Sequence, residues 1–201
     1  MQFTSLAYLG FFAAVFAVHW AVPQKARWAV CLAASAGFYA LLGAPMLAVL
    51  ALCIAVSYLG GLWLQRRRGM GPIPRPGDLM AQIGTPRAFD AGRAVRGAQL
   101  MLWGYFEKLV VADNLAPYVS AGLDAPDLVM GLSVFLASVL YAVQLYADFA
   151  GYSHIAIGCM QLLGFDAPEN FRAPYFSTSV KEFWNRWHIS LSSWLRDYVY
   201  I

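Results

Sequence analysis

The first third of the chain is built of long apolar runs with no polar alternation inside them. The run LAYLGFFAAVFAVHWAV over residues 6–22 is closed by Pro23 and followed by Lys25 and Arg27. A second, WAVCLAASAGFYALL over 28–42, ends at Gly43 and Pro45, and a third, MLAVLALCIAVSYLGGLWL over 46–64, is stopped by Arg66, Arg67 and Arg68. A helix needs about 20 apolar residues to cross a hydrocarbon core. Inside lipid the backbone must satisfy its own hydrogen bonds, so these runs predict membrane helices. With three crossings both basic clusters fall on one side; the bias of Lys and Arg towards cytoplasmic loops makes that side cytoplasmic and places Met1 outside.

The pattern then changes. Residues 65–97 are polar, rich in Gly and Pro, and carry seven arginines (Arg66, Arg67, Arg68, Arg75, Arg87, Arg93 and Arg96), which predicts a cytoplasmic loop with little regular structure at first. The run AQLMLWGYFEKLVVAD over 98–113 is interrupted by Glu107 and Lys108 and reads as an interfacial or broken helix. LVMGLSVFLASVLYAVQLYA over 128–147 is long enough to cross again. The chain thus divides into N-terminal transmembrane helices over 1–64, the arginine-rich loop over 65–97, and a C-terminal core over 98–201.

Composition sharpens the class. Hydrophobic residues make up 60% and charged residues 12% of the chain, against about 25% charged in soluble domains, and the mean hydropathy is +0.55. A soluble core is excluded. The net charge of +3 is spread through loops with no basic stripe interleaved with aromatics, so nucleic acid is not a partner. Cys31, Cys53 and Cys159 are odd in number and far apart inside apolar segments, which fits neither a disulfide framework nor a metal site. Met1 to Ser5 carries no basic residue and no small-residue cleavage pattern follows, so the first run reads as a retained span, not a signal peptide.

Candidate chemistry concentrates in the last third. Asp148 directly follows the run over 128–147, and a carboxylate at membrane depth costs about 3 kcal/mol unless paired or solvated. Two readings stand: a helix cap or interfacial group kept in water, or the start of a buried polar pocket at which Asp148, Gly151, Tyr152 and Ser153 turn the chain. DAPENFRAPYFSTS over 166–179 reads as a loop, yet it carries Phe171, Tyr175 and Phe176, so it is expected to fold inward. Ser177 or Ser179 caps the helix that follows, with Glu182 three residues after Ser179 as in a capping box. Along it, Trp184, Trp187 or His188, Leu191, Trp194 or Leu195 and Tyr198 recur at steps of three and four, which predicts one continuous face. An interfacial anchor and the wall of a site both fit that face. His188 within it is either a packing residue or a group for proton transfer near neutral pH. His19 and His154 read as packing residues.

The series YADFAGYSHIAIGCMQLLGFDAPENFRAPY and SVKEFWNRWHISLSSWLRDYVYI closely resembles the membrane-bound O-acyltransferase family, in its bacterial branch of alginate O-acetyltransferases and teichoic-acid D-alanyl transferases. FTSLAYLGFFAAVFAVHWAVP, AASAGFYALLGAP, MGPIPRPGDLMAQI and FEKLVVADNLAP are similar to the same branch. The resemblance implies an all-α, polytopic integral membrane protein of the bacterial cytoplasmic membrane, here a partial helical bundle with broken and interfacial helices. It also implies acyl transfer to a hydroxyl of an exported or cell-surface polysaccharide such as alginate. His188 matches the histidine of the family motif RWHxSLSxWxRDY, one of the branch's two characteristic histidines, and is carried over as a catalytic-site residue that orients substrate or the other histidine, the one taken as catalytic in the family, with Asp148, Tyr152, Asn170, Trp187 and Arg196 shaping the pocket. No bound cofactor or metal is implied, because the acyl thioester, acetyl-CoA or an acylated carrier, is a substrate. The implied partners are that donor, a polysaccharide acceptor or a periplasmic acetyltransferase, and the lipid bilayer.

Two departures accompany the resemblance. The family's other histidine, preceded by tryptophan, lies further along than Ile201, and the family has several more spans between the regions like YLGGLWL and GPIPRPGDLMAQI, where this chain has only 65–70. The 201 residues therefore read as a family member without an internal block and a C-terminal part, expected to transfer little or nothing alone. D-alanyl transfer to teichoic acid, a transport-like role and a non-catalytic membrane scaffold are the rival readings.

Overall fold

The computed structural model describes residues 3–41, 43–68, 77–124 and 131–199, and these are all helical or irregular, with no strand among them. Arg75 and the start of the run over 128–147 lie outside the described residues. Two compact units emerge, Met1–Phe89 and Asp90–Ile201.

In the first unit, Ser5 caps α1 (Leu6–Ala21) by accepting a hydrogen bond from the Tyr8 N–H at 3.2 Å. The helix stops at Val22, which is extended as a residue before proline must be. α2 (Gln24–Leu41) starts at once, and Gly43, at φ +113°, turns the chain into α3 (Ala44–Arg68). An edge-on ring contact of Tyr8 with Phe38 (6.0 Å) joins α1 to α2, and Phe3, ahead of α1, packs against both rings at 4.9 and 5.2 Å. At the other end His19, 1% exposed, lies 3.6 Å from the Cys31 thiol, the environment of a packing residue. Arg27 stacks on Trp20 at 4.4 Å and donates to the Arg87 carbonyl at 2.7 Å, while Phe89 meets Trp20 edge-on at 5.3 Å. The stretch expected as loop is thus partly ordered: α4 (Gly77–Gly84) forms within it, and its end is fastened to the α1–α2 turn.

The second unit is a helical hairpin with a broken helical arm. Asp90 caps α5 (Ala91–Tyr105) by accepting from the Arg93 N–H at 3.0 Å. The helix runs into seven residues of π-helix (Phe106–Ala112) and then into α6 (Asp113–Leu123). The interruption predicted at Glu107 and Lys108 is therefore a local widening of the helix, not a stop. α7 (Gly131–Leu162) packs against all three pieces, running antiparallel. Small residues set the crossing: a Cβ built on Gly97 would come within 2.8 Å of the Gly158 carbonyl oxygen, one on Gly104 within 2.6 Å of the Gly151 oxygen, and one on Gly122 would run into the Ala137 Cβ. Close approach through glycines is how helices associate where lipid removes the hydrophobic drive between them.

α7 corrects the sequence reading. The span expected to end at Ala147 continues to Leu162, so Asp148, Gly151, Tyr152 and Ser153 do not turn the chain; they lie on an uninterrupted helix. The apolar run ended at a carboxylate, but a carboxylate with a partner does not break a helix. Among the described residues α7 alone is long and apolar enough to cross a membrane, with Leu6–Ala21 and Pro45–Val56 forming shorter apolar helices. α7 ends in a Schellman motif: Gly164 sits at φ +88°, and the Phe165 N–H returns to the Met160 carbonyl at 2.8 Å. Arg93 then ties the start of α5 to that turn through the Gly164 carbonyl at 2.7 Å.

Candidate functional site

After α7 the chain loops back along it. Phe171 is buried and the Tyr175 hydroxyl donates to the Ala142 carbonyl at 2.6 Å, as an inward-folding loop requires. Phe176, 82% exposed, does not join it. A single 3₁₀ turn (Pro174–Phe176) leads to α8 (Val180–Arg186), whose N-terminus is closed from both sides. Ser179 Oγ accepts from the Glu182 N–H at 3.2 Å, and the Glu182 carboxylate reaches back to the Thr178 N–H at 2.7 Å.

The continuous helical face predicted from Trp184 to Tyr198 does not form. The helix breaks at Trp187 and His188 and restarts as α9 (Ile189–Tyr198). His188 is in the left-handed region, φ +43° and ψ +56°, a conformation that costs an L-residue roughly 1–2 kcal/mol. Steps of three and four residues persist across such a break by count alone, which is why periodicity overlooked it. Trp184 and Trp194 are consequently about half exposed and do not share one protein-facing wall with His188.

Asn170 holds the break open. Its side-chain N–H donates to Ser153 Oγ on α7 at 3.3 Å, its Oδ1 accepts from the Ser190 N–H at 3.2 Å, and its carbonyl accepts from the Ile189 N–H at 3.0 Å. One residue thus satisfies the first two free N–H groups of α9 and pins them to α7. The aromatics then close around His188. Its ring meets Phe149 edge-on at 4.6 Å, Phe149 meets Phe171 at 5.0 Å, and Phe171 meets Trp187 at 5.1 Å. Tyr146, Tyr175 and Phe183 extend the cluster around Trp187. The imidazole makes no hydrogen bond to another described residue, and partial burial among these rings lowers its pKa below the ordinary 6.5. It is therefore held uncharged at neutral pH, with a ring nitrogen free to accept a proton.

The remaining predicted residues separate from His188. Asp148, with 42% of its side chain exposed, pairs with Lys108 at 2.5 Å, and Lys108 also binds Asp113 at 2.7 Å. The Tyr152 ring lies 5.4 Å from the same ammonium. Lys108, Asp148 and Asp113 thus form a salt-bridge cluster, bordered by Tyr152, on the side of α7 that faces the π-helix, whereas Asn170, Trp187 and His188 meet on the loop side. Arg196 lies further along α9, donating to Asn185 Oδ1 at 3.1 Å.

Sequence reasoning missed one pair. Glu107, 6% exposed on the π-helix, lies 2.6 Å from His154 Nδ1 on α7. A glutamate inside an apolar run signals a buried carboxylate in need of a partner, but the partner stands 47 residues away and only the hairpin brings it into reach.

Comparison with known proteins supplies a family. The family model described as MBOAT, membrane-bound O-acyltransferase family, matches residues 78–201. A probable alginate O-acetylase AlgI of Azotobacter vinelandii is 43% identical over 131 residues, covering 65% of this chain and 26% of that protein. A peptidoglycan O-acetyltransferase of Helicobacter pylori is 34% identical over 133 residues (65% and 25%), and a teichoic acid D-alanyltransferase of Bacillus subtilis 37% over 105 residues (52% and 27%). The chain spans about a quarter of the length of these curated relatives. The family match covers more than half of the chain and takes in α7, the Asn170 loop and the left-handed His188, and on that ground this chain belongs to the membrane-bound O-acyltransferase family.

Proposed function

We propose that the chain takes part in O-acyl transfer, moving an acetyl group from a thioester to hydroxyls of an exported or cell-surface polysaccharide. The observation that carries this reading is the family match over 78–201, the segment in which an uncharged imidazole is pinned inside an aromatic cluster. In the reaction the acceptor oxygen attacks the thioester carbonyl, a C–O bond forms as the C–S bond breaks, and the thiolate leaves and is protonated. The hydroxyl proton needs an acceptor, and His188 supplies a neutral ring nitrogen, either taking that proton or orienting the hydroxyl that loses it. Phe149, Phe171 and Trp187 exclude bulk water, which would otherwise hydrolyse the thioester. The donor is acetyl-CoA or an acylated carrier, and a periplasmic acetyltransferase is the alternative first acceptor. The test is transfer of labelled acetyl from a thioester to polymer by membranes holding a protein of the relatives' length that carries this segment. Acetyl ester on the polymer is the expected product; D-alanyl ester in its place would move the chain to the teichoic-acid branch, for which the Bacillus subtilis relative speaks.

The same reading makes the protein multi-pass in the bacterial cytoplasmic membrane, with α1, α2, α3 and α7 crossing and the stretch over 65–97 on the cytoplasmic side. Its seven arginines support that side. A cysteine placed at Gly77 should resist an impermeant thiol reagent in intact cells and react once they are permeabilised. Labelling in intact cells would reverse the topology.

A further inference from the structure

Charge is spread unevenly along the chain. The unit Met1–Phe89 carries Lys25 and six arginines against a single carboxylate, Asp78. One of these cations is held in a clasp. The Arg27 guanidinium stacks on the Trp20 ring at 4.4 Å, and its Nη1 spends both protons inside the unit, on Gln24 Oε1 at 2.8 Å and on the Arg87 carbonyl at 2.7 Å. Gln24 in turn donates to the Thr85 carbonyl at 3.2 Å, so the segment ahead of Phe89 and the α1–α2 turn close around the cation together. The charge is fixed but not neutralised. Among the described residues neither Arg27 nor Lys25, exposed two positions earlier, pairs with a carboxylate; Arg27 Nη2 makes no hydrogen bond and Nε is buried without a partner. Apolar rings adjoin it: Phe89, 53% exposed, meets Trp20 edge-on at 5.3 Å, where the apolar helix α1 ends.

We propose that the α1–α2 turn binds the phosphate of an anionic phospholipid. Arg27 Nη2 and the Lys25 ammonium donate to the phosphate oxygens, and Trp20 and Phe89 lie against the glycerol and the upper acyl chain, the depth at which indole rings settle in a bilayer. A zwitterionic lipid offers the same phosphate but brings its own cation into a unit with seven basic side chains and one acidic one, where it is repelled. Inorganic phosphate has the charge but leaves the rings without a role. The bias of basic residues towards the cytoplasmic side concerns the summed charge of a loop; here one guanidinium, oriented by three neighbours, offers one nitrogen to one headgroup. The inference rests on the topology proposed above, in which α1 and α2 cross the membrane and their turn lies at its cytoplasmic surface.

The test is native mass spectrometry of the 201-residue chain released from mixed micelles that hold phosphatidylglycerol and phosphatidylcholine in equal amounts. The chain should retain phosphatidylglycerol about tenfold over phosphatidylcholine, and Arg27→Gln should lower that ratio about fivefold, the share of one basic side chain at a charged surface. Should Arg27→Gln fail to fold, as judged by helical circular dichroism and elution volume, Lys25→Glu leaves the guanidinium contacts in place, sets a carboxylate beside the site and should lower the ratio at least as far. Arg172→Gln, which removes a cation already paired with Glu169, should leave the ratio unchanged. Equal retention of the two lipids, a ratio that survives both substitutions at the turn, or an equal fall in Arg172→Gln would overturn the proposal. Loss of the bound lipid to millimolar inorganic phosphate would do the same, and would reassign the turn to a free anion. Micelles have no sides, so lipid retention and the labelling at Gly77 are read separately. Retention of phosphatidylglycerol with Gly77 labelled in intact cells counts against the topology alone, and equal retention with Gly77 protected counts against the lipid site alone.

Discussion

Replacing His188 by alanine, in a protein of the relatives' length that carries this segment, is expected to lower acetyl transfer per unit of protein by a factor of about 100 or more. The size of the effect follows from the role. A group that accepts or steers a proton in the transition state contributes to the rate, whereas a ring that only fills space contributes to stability. The left-handed backbone at His188 complicates a simple alanine test, since alanine there bears the same conformational cost without the ring contacts. His188→Asn removes the complication: asparagine tolerates the left-handed region and has no titratable nitrogen. Both variants should lose transfer, and the asparagine variant should keep the abundance of the parent. Acetyl ester content of the polymer, normalised to protein by immunoblot, is the measurement. Parental activity in His188→Asn would end the catalytic reading. The pH profile supplies a second readout. Burial lowers the pKa of His188, so folding favours its neutral form; activity and the stability contribution of this group should both be complete above pH 6.5 and fall as the pH drops through the lowered value. An acid limb centred above 6.5 would contradict the burial of the ring.

The largest effect on stability is expected at Gly104. Alanine gains roughly 1 kcal/mol over glycine in a helix interior, but here its Cβ would lie 2.6 Å from the Gly151 oxygen and 2.9 Å from the Ile155 nitrogen. Both are backbone atoms of a packed helix and cannot swing aside. Relief requires α5 and α7 to separate, and overpacking of this kind costs about 1–3 kcal/mol or more. The clash wins, because separating the helices also weakens the Gly97–Gly158 crossing and stretches the buried Glu107–His154 contact. Gly104→Ala should therefore lower the thermal midpoint of the monodisperse protein in detergent. Gly10→Ala and Gly37→Ala, where an added Cβ meets nothing within 4 Å, should leave it level or raise it. A Gly104→Ala protein as stable as Gly10→Ala would mean that the close crossing does not hold the second unit together.

The sequence by itself determined the helical, membrane-directed class, because uninterrupted apolar runs admit few other structures in lipid. It also determined local features whose partners lie within four residues: the Ser179–Glu182 cap, the break in regularity at Glu107 and the stop at Pro23. The residues carrying the family resemblance placed Asp148, Tyr152, Asn170, Trp187 and Arg196 around His188; the fold brings Asn170 and Trp187 to the break at His188 and sets Asp148 and Tyr152 at Lys108 and Arg196 against Asn185. Tertiary structure decided the rest. Asp148 looked like the end of a span because the cost of a charge in lipid is assigned to one residue when its partner is unknown; Lys108, forty positions earlier, offsets that cost and lets α7 run on to Leu162. The break at His188 was hidden for the complementary reason. A helical period records which side chains are apolar, and it carries no sign that Asn170, anchored to Ser153, will take up the free N–H groups of a restarted helix and make a left-handed histidine sustainable. Glu107, a charge inside an apolar run, and His154 became a pair only when the glycines of α5 and α7 let two backbones approach within contact, a distance set by absent side chains on both helices at once.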